Sequence, residues 1–342
     1  MSGERSGPSR TVREQLEARE DEDLGPEAAL SRNSKGRERE EPQCDIRPVF
    51  QRDRDRILHC KACRRLKQKT QVFLLPKGDH YRTRLTHTLE VSQNARTIAK
   101  ALRLNEDLVE AIALGHDLGH TPFGHAGEKA LNNVFHFSHN VQSLRVVERI
   151  EKQGRGLNLT WEVRDGILNH KTAGNPHTLE GKVLRLSDKI AYIYHDMDDA
   201  IRGGILTEAD IPAEIRKALG GSCRERLDTM VHDVIINSMD RPEICMSEPV
   251  GRAMQDLRRF MFENVYLNPK AKGEEDKAVH MIEQRFDYYV QHLELLTEQY
   301  LGSVFDHGNS SEQIVCDYIA GMTDSYAVKK FEEFFVPESW KI

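Results

Sequence analysis

The stretch HDLGHTPFGHAGE, residues 116–128, packs three histidines, an aspartate and a glutamate into thirteen positions. Upstream of it, Leu108, Ile112 and His116 recur every four residues, which predicts a helix over 106–118 whose apolar face ends in an imidazole. Before that, Val91, Ala95, Ile98 and Leu102 recur at spacings of 4, 3 and 4, predicting an amphipathic helix over 86–103 with His87 at its start. Gly119, Pro122 and Gly124 then turn the chain.

Helical periodicity continues on both sides. A helix over 52–66 is followed by a short extended piece, Thr70–Leu75, and a turn at Pro76–Asp79. Further helices are expected after caps at Ser138 and Thr160, over 180–201, and over 207–219, 223–238, 251–265, 275–301 and 311–335. Strand signals are sparse, so the expected fold class is all-α. Three regions are expected. Residues 1–45 hold 20 charged residues and no aromatic, and read as a mostly flexible tail with a short helix near 11–23. Residues 46–202 form the core and 203–342 a C-terminal helical region packed on it.

Composition bounds the function. The 342 residues carry a net charge of −6, and no apolar run is long enough to span a membrane. No charged-then-apolar leader opens the chain, and the six cysteines show no framework spacing, so a cytoplasmic protein is expected. Cys60-x-x-Cys63 with His59 lacks the second ligand pair a structural zinc site needs. Mild acidity argues against sequence-independent coating of DNA. The basic residues Arg52, Arg54, Arg56, Arg64, Arg65 and Lys67 suit nucleic acid, an oligomer interface or an effector phosphate equally well.

Of the 15 histidines, six fall between 87 and 139: His87, His116, His120, His125, His136 and His139. A buried His116 followed at once by Asp117 is costly unless both are satisfied, and a divalent cation satisfies both. Asp188 lies on the apolar face of the 180–201 helix, four residues after Leu184 and three before Ala191. Ligands from three helices make a bundle-core metal site of His87, the His116-Asp117 doublet and Asp188. Imidazole and carboxylate accept Mn, Zn, Fe, Ni or Co, and Mg less well. Asp188, Tyr192 and Asp196 are spaced i, i+4, i+8 and share one helix face. His125 and Glu128 are spaced i, i+3, as a carboxylate orienting an imidazole would be.

The H…HD…D set resembles the HD-domain metal-dependent phosphohydrolases. Four segments, RTRLTHTLEV (82–91), HDLGHTPFGHAGE (116–128), FSHNVQSLRVVE (137–148) and DYIAGMTDSYA (317–327), are similar in order to the deoxyguanosinetriphosphate triphosphohydrolase-like family. The resemblance runs from about Asp45 to about Phe335. It implies an HD-domain helical core with added helices, and hydrolysis of a dNTP to deoxynucleoside and inorganic triphosphate. It implies the metal ligands above, phosphate contacts at Arg84 and Lys189, and a deoxyribose pocket at Tyr192 and Asp196. Gln71 and Val72 fall where relatives approach base and sugar. His125 is the first choice for acid–base work, set by Glu128, with His120 and His139 at the phosphates. The resemblance also implies a homo-oligomer, hexamer or tetramer; no motif marks a site for an activating dNTP. Cys63 and Gln68 depart from the family pattern, in packing near the substrate entrance. The competing readings are another HD phosphohydrolase, acting on a nucleoside monophosphate or a phosphodiester, and a non-catalytic dNTP sensor.

Overall fold

The computed structural model describes residues 10–71, 74, 81–266, 273–296 and 308–337. Among them there is no sheet, only the isolated bridges Arg37–Thr160 and Thr70–Thr83, so the fold is all-α. None of the described helices is long and apolar enough to cross a membrane.

The centre is three helices whose starts are written in the sequence. Helix α4 (Arg84–Ala101) opens on a reciprocal Thr83–Thr86 cap, α5 (Glu106–Gly115) on Asn105, and α9 (Leu179–Arg202) on Thr178. Their apolar faces, including Val91, Ala95 and Ile98, Leu108 and Ile112, and Val183, Leu184 and Ile190, are buried together. Burial of this apolar surface is the main stabilising term. Helices α2 (Val49–Leu58) and α8 (Trp161–Leu168) pack on α5. A Cβ on Gly166 would lie 2.5 Å from Ile112 Cδ1, and one on Gly115 would lie 2.5 Å from Ile167 Cδ1. Only glycine allows this crossing, and it brings the ends of α5 and α8 side by side.

The core does not follow chain order. Helices α11 (Cys223–Ser238) and α12 (Glu248–Met261) bury Met230, Val234, Leu257 and Met261 in the same cluster as α4, α5 and α9. Helix α6 (Gly124–Val134) instead buries Ala126, Ala130 and Leu131 against a second cluster with Ile282, Phe286, Ile314 and Ile319. Those come from α13 (Glu275–Gln291) and α14 (Ser311–Ala320); α15 (Asp324–Phe335) follows.

Several expected elements are interrupted. The helix foreseen over 52–66 breaks at Cys60, which caps the short α3 (Lys61–Arg65). The one foreseen over 311–335 breaks between Gly321 and Thr323. The one foreseen over 275–301 ends at Gln291; residues 297–301 lie outside the described set, as do residues 72, 73 and 75–80 of the expected extended piece and turn.

Residues 10–45 depart most from expectation. They form α1 (Val12–Asp23) and then run along the core instead of dangling. Arg37 pairs with the fully buried Asp53 and donates to Asn158 O at 2.6 Å. Asp53 in turn accepts from Thr160 N at 2.8 Å and from its Oγ1 at 2.6 Å. Glu162 accepts from Ser34 Oγ and Lys35 N, each at 2.7 Å, and Glu180 accepts from Ala29 N at 2.9 Å. Composition counts charges but does not see that their partners sit in the core. Replacing Asp53 by Ala leaves Arg37 only Glu41, at 3.0 Å, as a carboxylate partner and takes the acceptor from the buried Thr160 N, a loss of about 1–3 kcal/mol. Urea unfolding measures it. A loss below about 1 kcal/mol, the range of a surface pair, would mean that this segment is not docked.

Candidate active site

His87 stands in the first turn of α4, His116 directly after α5, and Asp188 in the middle of α9. Packing of the three helices brings their ligand atoms within 4.8 Å of one another. His87 Nε2 is 3.2 Å from Asp188 Oδ1, and His116 Nε2 is 3.7 Å from the same oxygen. Asp117 faces the group, with Oδ1 3.6 Å from His116 Nε2 and Oδ2 3.9 Å from His87 Nε2.

The hydrogen-bond pattern assigns the tautomers. His116 Nδ1 lies 2.6 Å from Ala113 O, which can only accept, so Nδ1 carries the hydrogen and Nε2 a lone pair. That Nε2 is buried without a partner among the described residues. His195 Nε2 donates to Glu90 at 2.7 Å, so its Nδ1 accepts from His87 Nδ1 at 3.2 Å. The lone pair of His87 Nε2 then points at an Asp188 oxygen. Two neutral imidazole lone pairs and two carboxylates, each imidazole held from behind, are what a divalent cation requires. The donor set fits the metal expected from the sequence.

Beside this group lies Arg84. Its Nη1 donates to Asp117 Oδ2 at 2.8 Å, its Nε to Thr70 O at 3.2 Å, and its buried Nη2 has no partner among the described residues. Lys189 follows Asp188, and its pKa is lowered by burial and by Arg185 and Arg258.

Further along the same face of α9 come Tyr192 and Asp196. Tyr192 Oη accepts from Arg258 Nε at 3.1 Å, and its ring stacks on Tyr266 at 6.5 Å between centroids. Tyr266 Oη donates to Asp196 Oδ2, while Asp196 Oδ1 is buried and unpartnered among the described residues. Burial pushes the Asp196 carboxyl up to about 7. Gln71 is buried with Oε1 also unpartnered in that set; Val72 lies outside the described residues.

The histidines after the HD doublet divide differently from expectation. Glu128 does not hold His125: their nearest approach is 3.9 Å, and the His125 side chain is 75% exposed. Glu128 instead accepts from His139, from the backbone N at 3.2 Å and from Nδ1 at 2.9 Å. His139 opens α7 (His139–Arg145), so that helix start places two donors on one carboxylate, whereas His125 on the first turn of α6 points outward. The Glu128 carboxyl is held down at about 2: burial opposes its charge and the His139 hydrogen bond outweighs it. His120 stacks on His139 with centroids 4.4 Å apart.

Four residues of this neighbourhood escaped sequence reasoning: His170, His195, Arg258 and Tyr266. His195 is seven residues after Asp188, on the same helix face, and that spacing could have found it. Arg258 and Tyr266 arrive by packing of a distant helix, which leaves no local signal.

Two clamps join the C-terminal helices to this wall. Asp324 accepts from Thr70 N and Phe123 N, both at 2.9 Å, and from Thr70 Oγ1. Lys69 Nζ, buried and pushed down to about 7, donates to the carbonyls of His120 and, at 2.8 Å, Ala320.

The raised pKa of Asp196 has a pH signature. Below about pH 4 the folded and unfolded chains both hold its proton. Between about 4 and 7 only the folded chain does, which favours folding; that contribution is lost as the pH rises through 7. Asp196→Asn lacks this term. Its thermal midpoint relative to the parent is therefore expected to rise between pH 5 and pH 8; an unchanged gap would mean that Asp196 titrates normally.

Comparison with known proteins agrees with this geometry. A family model described as HD domain matches residues 84–199, and one described as phosphohydrolase-associated domain matches residues 244–333. The chain is 58% identical, over 96% of its length and 97% of the relative's, to a deoxyguanosinetriphosphate triphosphohydrolase-like protein of Caldanaerobacter subterraneus subsp. tengcongensis. A protein of the same description from Desulfatibacillum aliphaticivorans is 49% identical over 96% of this chain and 99% of that one. Another, from Geobacter sulfurreducens, is 39% identical over 92% and 96%. A phosphohydrolase structure from Bacteroides thetaiotaomicron shares the fold, with TM-score 0.51 and 19% identity over 83% of this chain and 68% of that one. The chain belongs to the deoxyguanosinetriphosphate triphosphohydrolase-like family of HD-domain phosphohydrolases.

Proposed function

We propose that the chain hydrolyses a deoxynucleoside triphosphate at the α-phosphorus, releasing deoxynucleoside and inorganic triphosphate. The observation that carries this reading is the single face of α9, which runs from Asp188 in the metal group through Tyr192 to Asp196, whose buried Oδ1 has no partner among the described residues. One end suits a phosphate and the other a sugar hydroxyl.

His87, His116, Asp117 and Asp188 would hold a divalent cation, which would supply Lewis-acid polarisation of the phosphate and a more acidic water. The Nη2 of Arg84, with Lys189 and Arg258, offsets the triphosphate charge. Asp196 Oδ1 accepts the sugar 3′-hydroxyl. The Tyr192 ring packs at C2′, where a 2′-hydroxyl would clash, which selects deoxy over ribo substrates. Water attacks phosphorus, the P–O5′ bond breaks, and O5′ takes a proton, since a primary alkoxide leaves poorly. His125, on the exposed rim and free of the Glu128 contact, donates that proton; His120 and His139 line the phosphate side. The same reading includes a cytoplasmic homo-oligomer, hexamer or tetramer, which sedimentation would size.

Ion-exchange separation of products tests the reaction on metal-loaded protein, with each dNTP singly and in pairs. Inorganic triphosphate with free deoxynucleoside is expected; product only from pairs would reveal an activating nucleotide. Orthophosphate would move the reading to another HD phosphohydrolase, and no product from any mixture would leave a sensor. His125→Ala should lower kcat about 10²–10⁴-fold. Tyr192→Ala should narrow the dNTP-over-rNTP preference by about tenfold or more.

A further inference from the structure

We infer that Asp324, at the start of α15, is a positioning residue for the reaction: acting through Thr70, it fixes the guanidinium of Arg84 against the substrate's phosphates. The inference rests on the phosphate role of Arg84 in the proposed reaction.

An aspartate in the first turn of a helix ordinarily serves that helix. Here Thr323 already caps α15, its hydroxyl accepting from Tyr326 N at 3.3 Å. The Asp324 carboxylate is only 3% exposed, and a buried carboxylate is costly unless it is hydrogen-bonded. Its three donors come from two other segments, both lining the site. Oδ2 accepts from Thr70 N at 2.9 Å and from Thr70 Oγ1, and Oδ1 accepts from Phe123 N at 2.9 Å.

The first arm leads to Arg84. The peptide joining Lys69 to Thr70 is held at both ends: its N–H donates to Asp324, and its carbonyl, Lys69 O, accepts from Arg84 N at 3.1 Å. The next carbonyl, Thr70 O, accepts from Arg84 Nε at 3.2 Å. Arg84 Nη1 donates to Asp117 Oδ2 at 2.8 Å, and the buried Nη2 has no partner among the described residues. A guanidinium is planar, so fixing two of its nitrogens fixes the direction of the third. Thr70 O is therefore one of the two points that aim Nη2, and Asp324 holds the peptide behind it.

The second arm closes the other side of the same slot. Phe123 has φ +61°, a left-handed conformation uncommon outside glycine, and Asp324 takes its N–H. Gly124 follows, and a Cβ there would lie 3.3 Å from Gln71 O, 3.4 Å from Thr70 O and 3.5 Å from Arg84 Nη2. The two arms thus meet without a side chain between them, and the guanidinium lies at their seam. Lys69 ties the same three segments a second time, from Nζ to the carbonyls of His120 and Ala320.

A mere staple would stabilise the fold without reference to Arg84, so a double-mutant cycle separates the two roles. Asp324→Asn keeps the size but sets an NH2 group against one of the N–H donors and releases an arm. On metal-loaded, full-length protein with the dNTP that the parent hydrolyses fastest, this change should lower kcat/KM about 10–100-fold. In an Arg84→Lys background, which lacks the planar fork, it should cost less than about threefold. The thermal midpoint should fall equally in both backgrounds. Thr70→Val, which removes only the hydroxyl donor, should follow the same pattern at about 3–10-fold, with Thr70→Ser restoring the parent value. This second set decides the matter should Asp324→Asn fail to fold. Losses of equal size in both backgrounds overturn the proposal and leave Asp324 a staple. A parent that hydrolyses no dNTP overturns the proposed reaction instead, and the same cycle is then read in dNTP affinity by calorimetry. A parent that neither hydrolyses nor binds any dNTP overturns both.

Discussion

The site depends on hydrogen bonds that tie down the far side of each imidazole. A neutral histidine can offer its lone pair at either nitrogen, and only an outer acceptor decides which. Ala113 O decides for His116, Ile167 O for His170, Glu128 for His139, and Glu90 acting through His195 for His87. All four rings then turn Nε2 towards the two aspartates. Two of these acceptors are carbonyls one turn back in the same helix, available only because α5 and α8 end where they do. The chemistry is therefore set by helix termination: lengthening either helix by a turn would commit that carbonyl to the backbone.

Helix termination depends in turn on close approach. Gly115 and Gly166 let α5 and α8 cross without intervening side chains. After the crossing the chain turns at once through residues 117–124, and the turn is held from outside. Gly119 N donates to Ser143 Oγ at 2.9 Å, and Ser143 Oγ donates back to His116 O at 2.6 Å. Asp324 and Lys69 close the other side. The C-terminal helices contribute to the site chiefly in this way, by buried polar clamps whose removal would leave unsatisfied donors.

Much of this was legible in the sequence, for a physical reason. Apolar periodicity is a local property, so the helices carrying His87, His116 and Asp188 declare themselves, and a buried His-Asp doublet stands out because burial makes it costly. Pairings between distant elements are not local. The i, i+3 spacing of His125 and Glu128 permitted a contact, yet the start of α7 offered Glu128 two donors and took it. His170 sits outside the dense histidine window and becomes conspicuous only when His139 is seen facing it. The charges of residues 10–45 looked solvated because Asp53, Glu162 and Glu180 are far away in sequence.

The face of α9 shows how one helix serves two kinds of ligand. Around Asp188 the surroundings are His87, His116 and Asp117, and its carboxyl is held well below the usual range: burial opposes the charge, and the neighbouring His87 and His116 outweigh it. Two turns on, Asp196 has Tyr266 as its hydrogen-bond donor, and burial dominates, so its carboxyl is pushed up to about 7. The same residue type is thus anionic at one end and close to neutral at the other. An anionic carboxylate suits a cation and a charged phosphate. A carboxyl near neutrality can exchange hydrogen bonds with an uncharged hydroxyl without holding a full charge in a dry pocket. The gradient along this face gives the site a direction, and a ligand charged at one end and hydroxylated at the other matches it in one orientation only.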